Sequence, residues 1–102
     1  MAVTNISDEY LGKVRFAVRR NQNEKIDSEL KDIIEQCRMD MIQKGVPEKV
    51  AVDESNKSVL GCQRAFARWQ FGINGDEAVR NREDYRLLID ELRKNCINEE
   101  ET

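Results

Sequence analysis

The sequence predicts an all-α domain, a small bundle of about four helices. Two segments carry the prediction, because each repeats apolar residues three and four positions apart and ends at a glycine. The clearer segment ends at Gly45, and its apolar positions are Ile26, Leu30, Ile33, Ile34, Cys37 and Met41. The other ends at Gly72, and its apolar positions are Val59, Cys62, Ala65, Phe66 and Trp69. With 102 residues, the chain is expected to form one domain, 1–102.

The first two predicted helices are joined by a polar connection. We expect the first helix over 8–19, where Ser7 is placed to accept hydrogen bonds from the free amides of the first turn. One face carries Leu11, Val14 and Val18, with Tyr10 and Phe16 beside it. The second helix is expected over 27–44, and Pro47 keeps the chain from continuing as helix.

The segment 47–57 is predicted to be a loop, longer than is usual in a small helical domain. Its run from Val50 to Val52 favours a short extended piece, and polar residues after it favour a turn. The length of the loop suggests a partner contact. The candidate interface residues in this loop are Val50, Val52, Asp53 and Glu54.

Two more helices and a tail complete the predicted bundle. The third helix is expected over 57–71, and Asn74 begins a turn before a fourth helix within 77–95. The apolar stripe of the fourth helix is Tyr85, Leu88, Ile89, Leu92 and Cys96. The tail 98–102 is acidic and predicted to be flexible. It adds Glu99, Glu100 and Glu101 to the candidate interface.

Composition argues against most enzyme classes and most charged partners. Charged residues make up 36% of the chain, yet the net charge is only −3, which gives no general attraction to nucleic acid or anionic lipid. Histidine is absent, which removes the commonest general base and metal ligand. The three cysteines lack paired spacing and are expected to be reduced core residues. We therefore expect no catalysis, no cofactor, no bound metal and no membrane partner.

One basic segment leaves a second interpretation open. Arg64 and Arg68 lie four residues apart, so they share a helix face, and aromatic residues flank them. Basic side chains beside aromatic ones are typical of nucleic-acid surfaces. The alternative function is therefore a small helical nucleic-acid-binding regulator that uses Arg64 and Arg68.

The order of segments also resembles a known family. The sequence contains DEYLGKVRFAVRR, then a helix ending in QKGV, then VLGCQRAFARWQFG, and finally a helix near EDYRLLIDEL. This combination, across about 10–92, resembles the head-to-tail connector (head-completion adaptor) proteins of long-tailed bacteriophages. Trp69 in the third helix and the longer loop at 47–57 depart from the family pattern.

The resemblance implies a structural protein of the virion, made in the host cytoplasm and placed at the head–tail junction. Such adaptors form a dodecameric ring beneath the portal protein, extend the DNA channel and carry the stopper or tail-completion protein. Double-stranded DNA would pass through the ring without tight binding. A mildly acidic protein suits that role, because basic walls would retain DNA through counterion release.

Overall fold

The computed structural model describes residues 2–71 and 75–101, without the side chains of 2, 75–76 and 97–101. Within these residues there are helices and turns but no strands, so the predicted all-α class is confirmed. A short 3₁₀ turn comes first, followed by five α-helices. The 3₁₀ turn is Ala2–Thr4, and the helices are α1 (Asp8–Ala17), α2 (Glu24–Gln43), α3 (Glu48–Ala51), α4 (Lys57–Gln70) and α5 (Gly75–Glu101).

Polar side chains define where three of the helices begin. The Ser7 hydroxyl accepts a hydrogen bond from the amide of Tyr10 at 3.1 Å, as the sequence predicts. Asn23 accepts the amide of Lys25 at 2.9 Å, so α2 begins three residues earlier than expected. Asn56 caps α4 in the same way. These bonds satisfy amides that have no partner within the helix.

The predicted extended piece at 50–52 is wrong, because 48–51 form the short helix α3. Pro47 precedes the helix with a φ of −56° and has no amide hydrogen that would need a partner. Ala51 is buried, so the turn is held by packing against the rest of the domain. A four-residue helix cannot be recognised from periodicity, since it barely exceeds one turn.

The last helix is longer than predicted: it begins at Gly75, so residues 75–76 of the turn expected before 77 are helical. α5 spans 27 residues, or roughly 40 Å at the usual rise per residue. Its backbone continues through 98–101, where the sequence predicts a flexible tail. The predicted helix end at Gly72 and the turn residue Asn74 lie outside the described residues, as does Thr102.

The buried side chains form two clusters joined at α2 and α4. The larger one unites Cys37, Met41, Val46, Ala51, Val59, Cys62, Ala65, Phe66, Tyr85, Ile89, Leu92 and Cys96. The smaller one unites Tyr10, Leu11, Val14, Leu30, Ile34, Leu60 and Ala67. Most of the predicted stripe residues are therefore buried, but Leu88 is 37% exposed. The half-buried ones are Val18, Ile26, Ile33 and Trp69.

α4 occupies the middle of the bundle. It packs along α5 on one side and against α1 and α2 on the other. The domain is flattened, with Cα extents of 43 × 31 × 19 Å. Over the described residues, none of the helices combines the length and the apolar character needed to cross a bilayer.

Candidate functional site

A groove of about 650 Å³ lies between α2, α4 and α5. Aromatic side chains line it. Phe66 meets Trp69 edge-on at a centroid distance of 5.5 Å, and the Tyr85 ring lies 5.1 Å from Phe66. Met39 on α2 adds a partly exposed thioether. Met39 and Trp69 offer apolar surface to a partner side chain, while most of the other lining residues are polar or charged.

A hydrogen-bonded group connects α2 to α5 within this groove. The Tyr85 hydroxyl donates to Asp40 Oδ2 at 2.5 Å, and Lys44 Nζ lies 2.8 Å from the same oxygen. The Lys44 ammonium also lies 5.3 Å from the centroid of the Tyr85 ring. Burial raises the pKa of Tyr85, and the neighbouring Cys37 and Asp40 raise it further. The hydroxyl therefore stays protonated and serves as a structural donor.

The two edges of the groove carry opposite charges. Asp32 and Glu35 lie on the α2 edge, while Arg82 and Arg86 lie on the α5 edge. None of Asp32, Glu35 and Arg86 forms an ion pair with another described residue. Arg82 reaches only the exposed Glu83, at 3.7 Å. Apolar side chains flanked by charges of opposite sign suit an amphipathic helix that carries complementary charges.

A second surface, here called the α1 patch, surrounds the exposed Phe16. The Phe16 side chain is 83% exposed, although it is large and apolar. Basic residues lie around it. The α1 patch consists of Lys13, Phe16, Arg19, Arg20 and Arg68, all of them exposed. It shares no residue with the groove.

The arginines of the alternative interpretation lie beside α1. Arg68 is exposed, and its Nε donates to the carbonyl oxygen of Ala17 at 3.2 Å. Arg64, one turn earlier, is half-buried. The structure thus gathers Arg68 with the C-terminal end of α1 and leaves Arg64 less accessible.

The predicted loop interface is largely engaged with its own chain. Both carboxylate oxygens of Glu54 accept hydrogen bonds from Ser7, at 2.9 Å from the amide and 2.6 Å from the hydroxyl. Arg38 Nη2 lies 3.5 Å from the same carboxylate. Burial raises the pKa of Glu54, but the bonds from Ser7 and the charge of Arg38 outweigh it and lower the pKa overall. Glu54 therefore ties the loop to the N-terminal segment.

The remaining loop candidates divide between core and solvent. Val50 packs against the larger core cluster, and Val52 is half-buried. Asp53 is exposed, and hydrogen bonds from the hydroxyl and amide of Ser55 lower its pKa. The side chains of Glu99, Glu100 and Glu101 lie outside the described residues. Their role as interface residues stays a prediction.

Sequence reasoning did not predict Arg38. Its side chain is 1% exposed, and its Nη1 donates to the carbonyls of Val3 at 3.0 Å and Asn5 at 2.8 Å. Its guanidinium carbon also lies 5.5 Å from the centre of the Tyr10 ring. Arg38 follows the stripe residue Cys37, but the sequence gives no sign of the carbonyls that accept its hydrogen bonds.

The cysteines are chemically quiet. Cys37, Cys62 and Cys96 are buried and form no disulfide with one another, as the sequence predicts. Burial raises the pKa of Cys62 to about 11 and raises that of Cys37 as well. A thiol held in its protonated form is a poor nucleophile and a poor metal ligand.

In the part of the chain that the structure describes, no three or more cysteine and carboxylate side chains are grouped so that they could hold a metal ion. The candidate site therefore consists of two surfaces, the groove and the α1 patch.

Comparisons with protein-family models, with curated proteins and with solved structures find no match to this chain.

Proposed function

We propose that this protein is a head-to-tail adaptor of a long-tailed bacteriophage, which forms a ring beneath the portal and carries the stopper or tail. The observation that supports the proposal is the pair of unlike surfaces, the groove and the α1 patch, on one small helical domain. A subunit of a ring uses two different faces, one toward each neighbour. The order of sequence segments adds independent support.

The charge distribution also suits this role. The net charge of −3 gives the whole molecule no general attraction to DNA, and four of its 17 basic residues lie on the α1 patch. An adaptor must let DNA pass and yet bind its protein neighbours firmly. A net acidic chain with a local basic patch is compatible with both.

The test is native mass spectrometry of the protein mixed with the portal protein encoded beside it. We expect a fixed, ring-sized number of copies on each portal, dodecameric if the resemblance holds. A control mixture contains the portal and an unrelated acidic helical protein of similar mass. Absence of a complex at concentrations where the chain is folded would contradict the adaptor function.

The alternative, a nucleic-acid-binding regulator, draws on one observation, the exposed Phe16 beside Arg68 and the α1 basic residues. It predicts binding to DNA that weakens steeply with salt. Changing Arg68 to Ala should then reduce the affinity and the salt slope together, while the half-buried Arg64 should matter less. Binding of duplex DNA with these properties, without portal binding, would favour the regulator.

A further inference from the structure

We infer that the groove of one subunit receives helix α1 of a second copy of this chain, with Phe16 as the side chain that enters it. The inference rests on the proposed function, since a ring is what gives each subunit two unlike contacts. It goes further by assigning both contact surfaces. The evidence is the exposed apolar side chains of the two surfaces and the order of their charges.

The first step concerns the apolar partners. Phe16 lies on α1 with 83% of its surface exposed. The groove offers Met39, which is 45% exposed, and the half-buried Trp69. The exposed Phe16 ring could pack on Met39 and Trp69 in the groove of another copy. That contact would remove apolar surface of all three side chains from water.

The second step concerns the order of charges. Glu9, Lys13 and Phe16 follow one another at helical spacing and share a face of α1, with Arg20 just beyond its end. Along this face the charge changes from acidic to basic. The basic end fits the groove edge that carries Asp32 and Glu35, and the acidic start fits the edge that carries Arg82 and Arg86.

The same order argues against nucleic acid as the occupant of the α1 patch. A polyphosphate would gain from Arg19 and Arg20 but would meet the carboxylates of Asp8 and Glu9 at the start of the same helix. The groove of a second copy offers carboxylates to the basic end of α1 and arginines to its acidic start. Since the contact joins two different faces, each added subunit leaves one face free, and the assembly grows or closes into a ring.

Crosslinking tests the contact directly. Lys13→Cys places a thiol one turn before Phe16, and Gln36→Cys places one in the groove. The native cysteines are buried, so the unmodified chain is the background control. With a short bis-maleimide, we expect the double variant to give a ladder of dimers, trimers and larger species. Each single variant should stay monomeric.

A further pair of substitutions identifies the side chain responsible. Adding Phe16→Ala to the double variant should reduce the ladder at least about tenfold, as expected for loss of an aromatic hot spot. Leu87→Ala is the matched control, because Leu87 is 70% exposed on α5 and does not line the groove. This control should leave the ladder unchanged. Far-ultraviolet circular dichroism checks that every variant is folded.

Several outcomes would overturn the inference. These are no ladder, a ladder that Phe16→Ala leaves intact, or dimers from a single variant, which would indicate a symmetric contact. Binding of labelled single-stranded DNA that depends on Phe16, without a ladder, would assign the α1 patch to nucleic acid. Portal binding without a crosslinked ladder would support the adaptor function and contradict the contact between α1 and the groove. A ladder without portal binding would support that contact and contradict the adaptor function.

Discussion

Replacement of Arg38 by Met should destabilise the domain strongly, because Arg38 connects three separate parts of the chain. Its guanidinium donates to the carbonyls of Val3 and Asn5 and pairs with Glu54. Met retains most of the packing volume but supplies no donor. The variant therefore removes the polar contacts while limiting the cavity that a smaller residue would leave.

The magnitude follows from the burial of each partner. Removal of one member of a buried charged pair costs about 3–5 kcal/mol. Glu54 is 31% exposed, so water can solvate its freed carboxylate, and the lower part of that range applies. We expect a loss of about 3–4 kcal/mol out of a total stability of roughly 5–15 kcal/mol for a domain. The melting temperature should fall by roughly 12–30 °C, at about 4–8 °C per kcal/mol.

Urea unfolding followed by circular dichroism measures the loss, and native-state hydrogen exchange locates it. The amide of Ser7, which donates to Glu54, should exchange faster in Arg38→Met than in the parent. Glu54→Gln is the control. It leaves the buried Arg38 guanidinium without its counter-ion but with both carbonyl acceptors, so it should cost about 1–3 kcal/mol, less than Arg38→Met. A loss of under 1 kcal/mol in Arg38→Met, or unchanged exchange at Ser7, would refute the reasoning.

The remaining predictions concern two glycines, one buried amide and pH. Gly61→Ala should stabilise α4 by about 0.5–1 kcal/mol, since a Cβ there meets open space. Gly45→Ala should cost about 1–2 kcal/mol, because its φ is +103°; thermal unfolding of both variants checks the opposite signs. Gln63→Met should raise the free energy of unfolding by about 1–3 kcal/mol, because no described residue forms a hydrogen bond with the buried Gln63 amide. A lower free energy of unfolding in urea would instead indicate that the amide binds an internal water. The lowered pKa of Glu54 contributes stability that is present above its ordinary 4.5 and lost as pH falls below it, whereas the raised pKa of Cys62 makes stability fall as pH rises from 9.0 toward about 11. Melting temperatures across pH should therefore show a plateau between these limits, and a monotonic profile would contradict the two assignments.

Periodicity predicted the long helices well because burial selects apolar residues at every turn. Leu30, Ile34, Cys37 and Met41 all lie on the α2 stripe, and all are fully buried. The stripe on α5 was predicted less well, since Leu88 lies at the edge of the buried face. A stripe residue next to that boundary becomes exposed when the helix rotates only slightly about its axis.

The candidate site was harder to predict because it depends on how helices meet. Phe66 and Trp69 belong to the predicted α4 stripe, yet Trp69 is only half-buried and lines the groove between α2, α4 and α5. The charged edges come from α2 and α5, which are distant in sequence. The spacing of Asp32 with Glu35, and of Arg82 with Arg86, indicates a shared helix face on each helix but not that the two faces oppose each other.

The inferred contact should depend on salt less than a contact held by charges alone. Charges at the rim of an interface, such as Glu35 and Arg20, set orientation and weaken with screening, whereas burial of Phe16 does not depend on ionic strength. Raising salt from low to physiological levels should therefore reduce the crosslinked ladder only a few-fold, by roughly 1 kcal/mol or less. Binding of a nucleic acid to the same patch would fall by orders of magnitude over a comparable range. A ladder that disappears with salt as steeply as that would show that charge, and not Phe16, holds the subunits together.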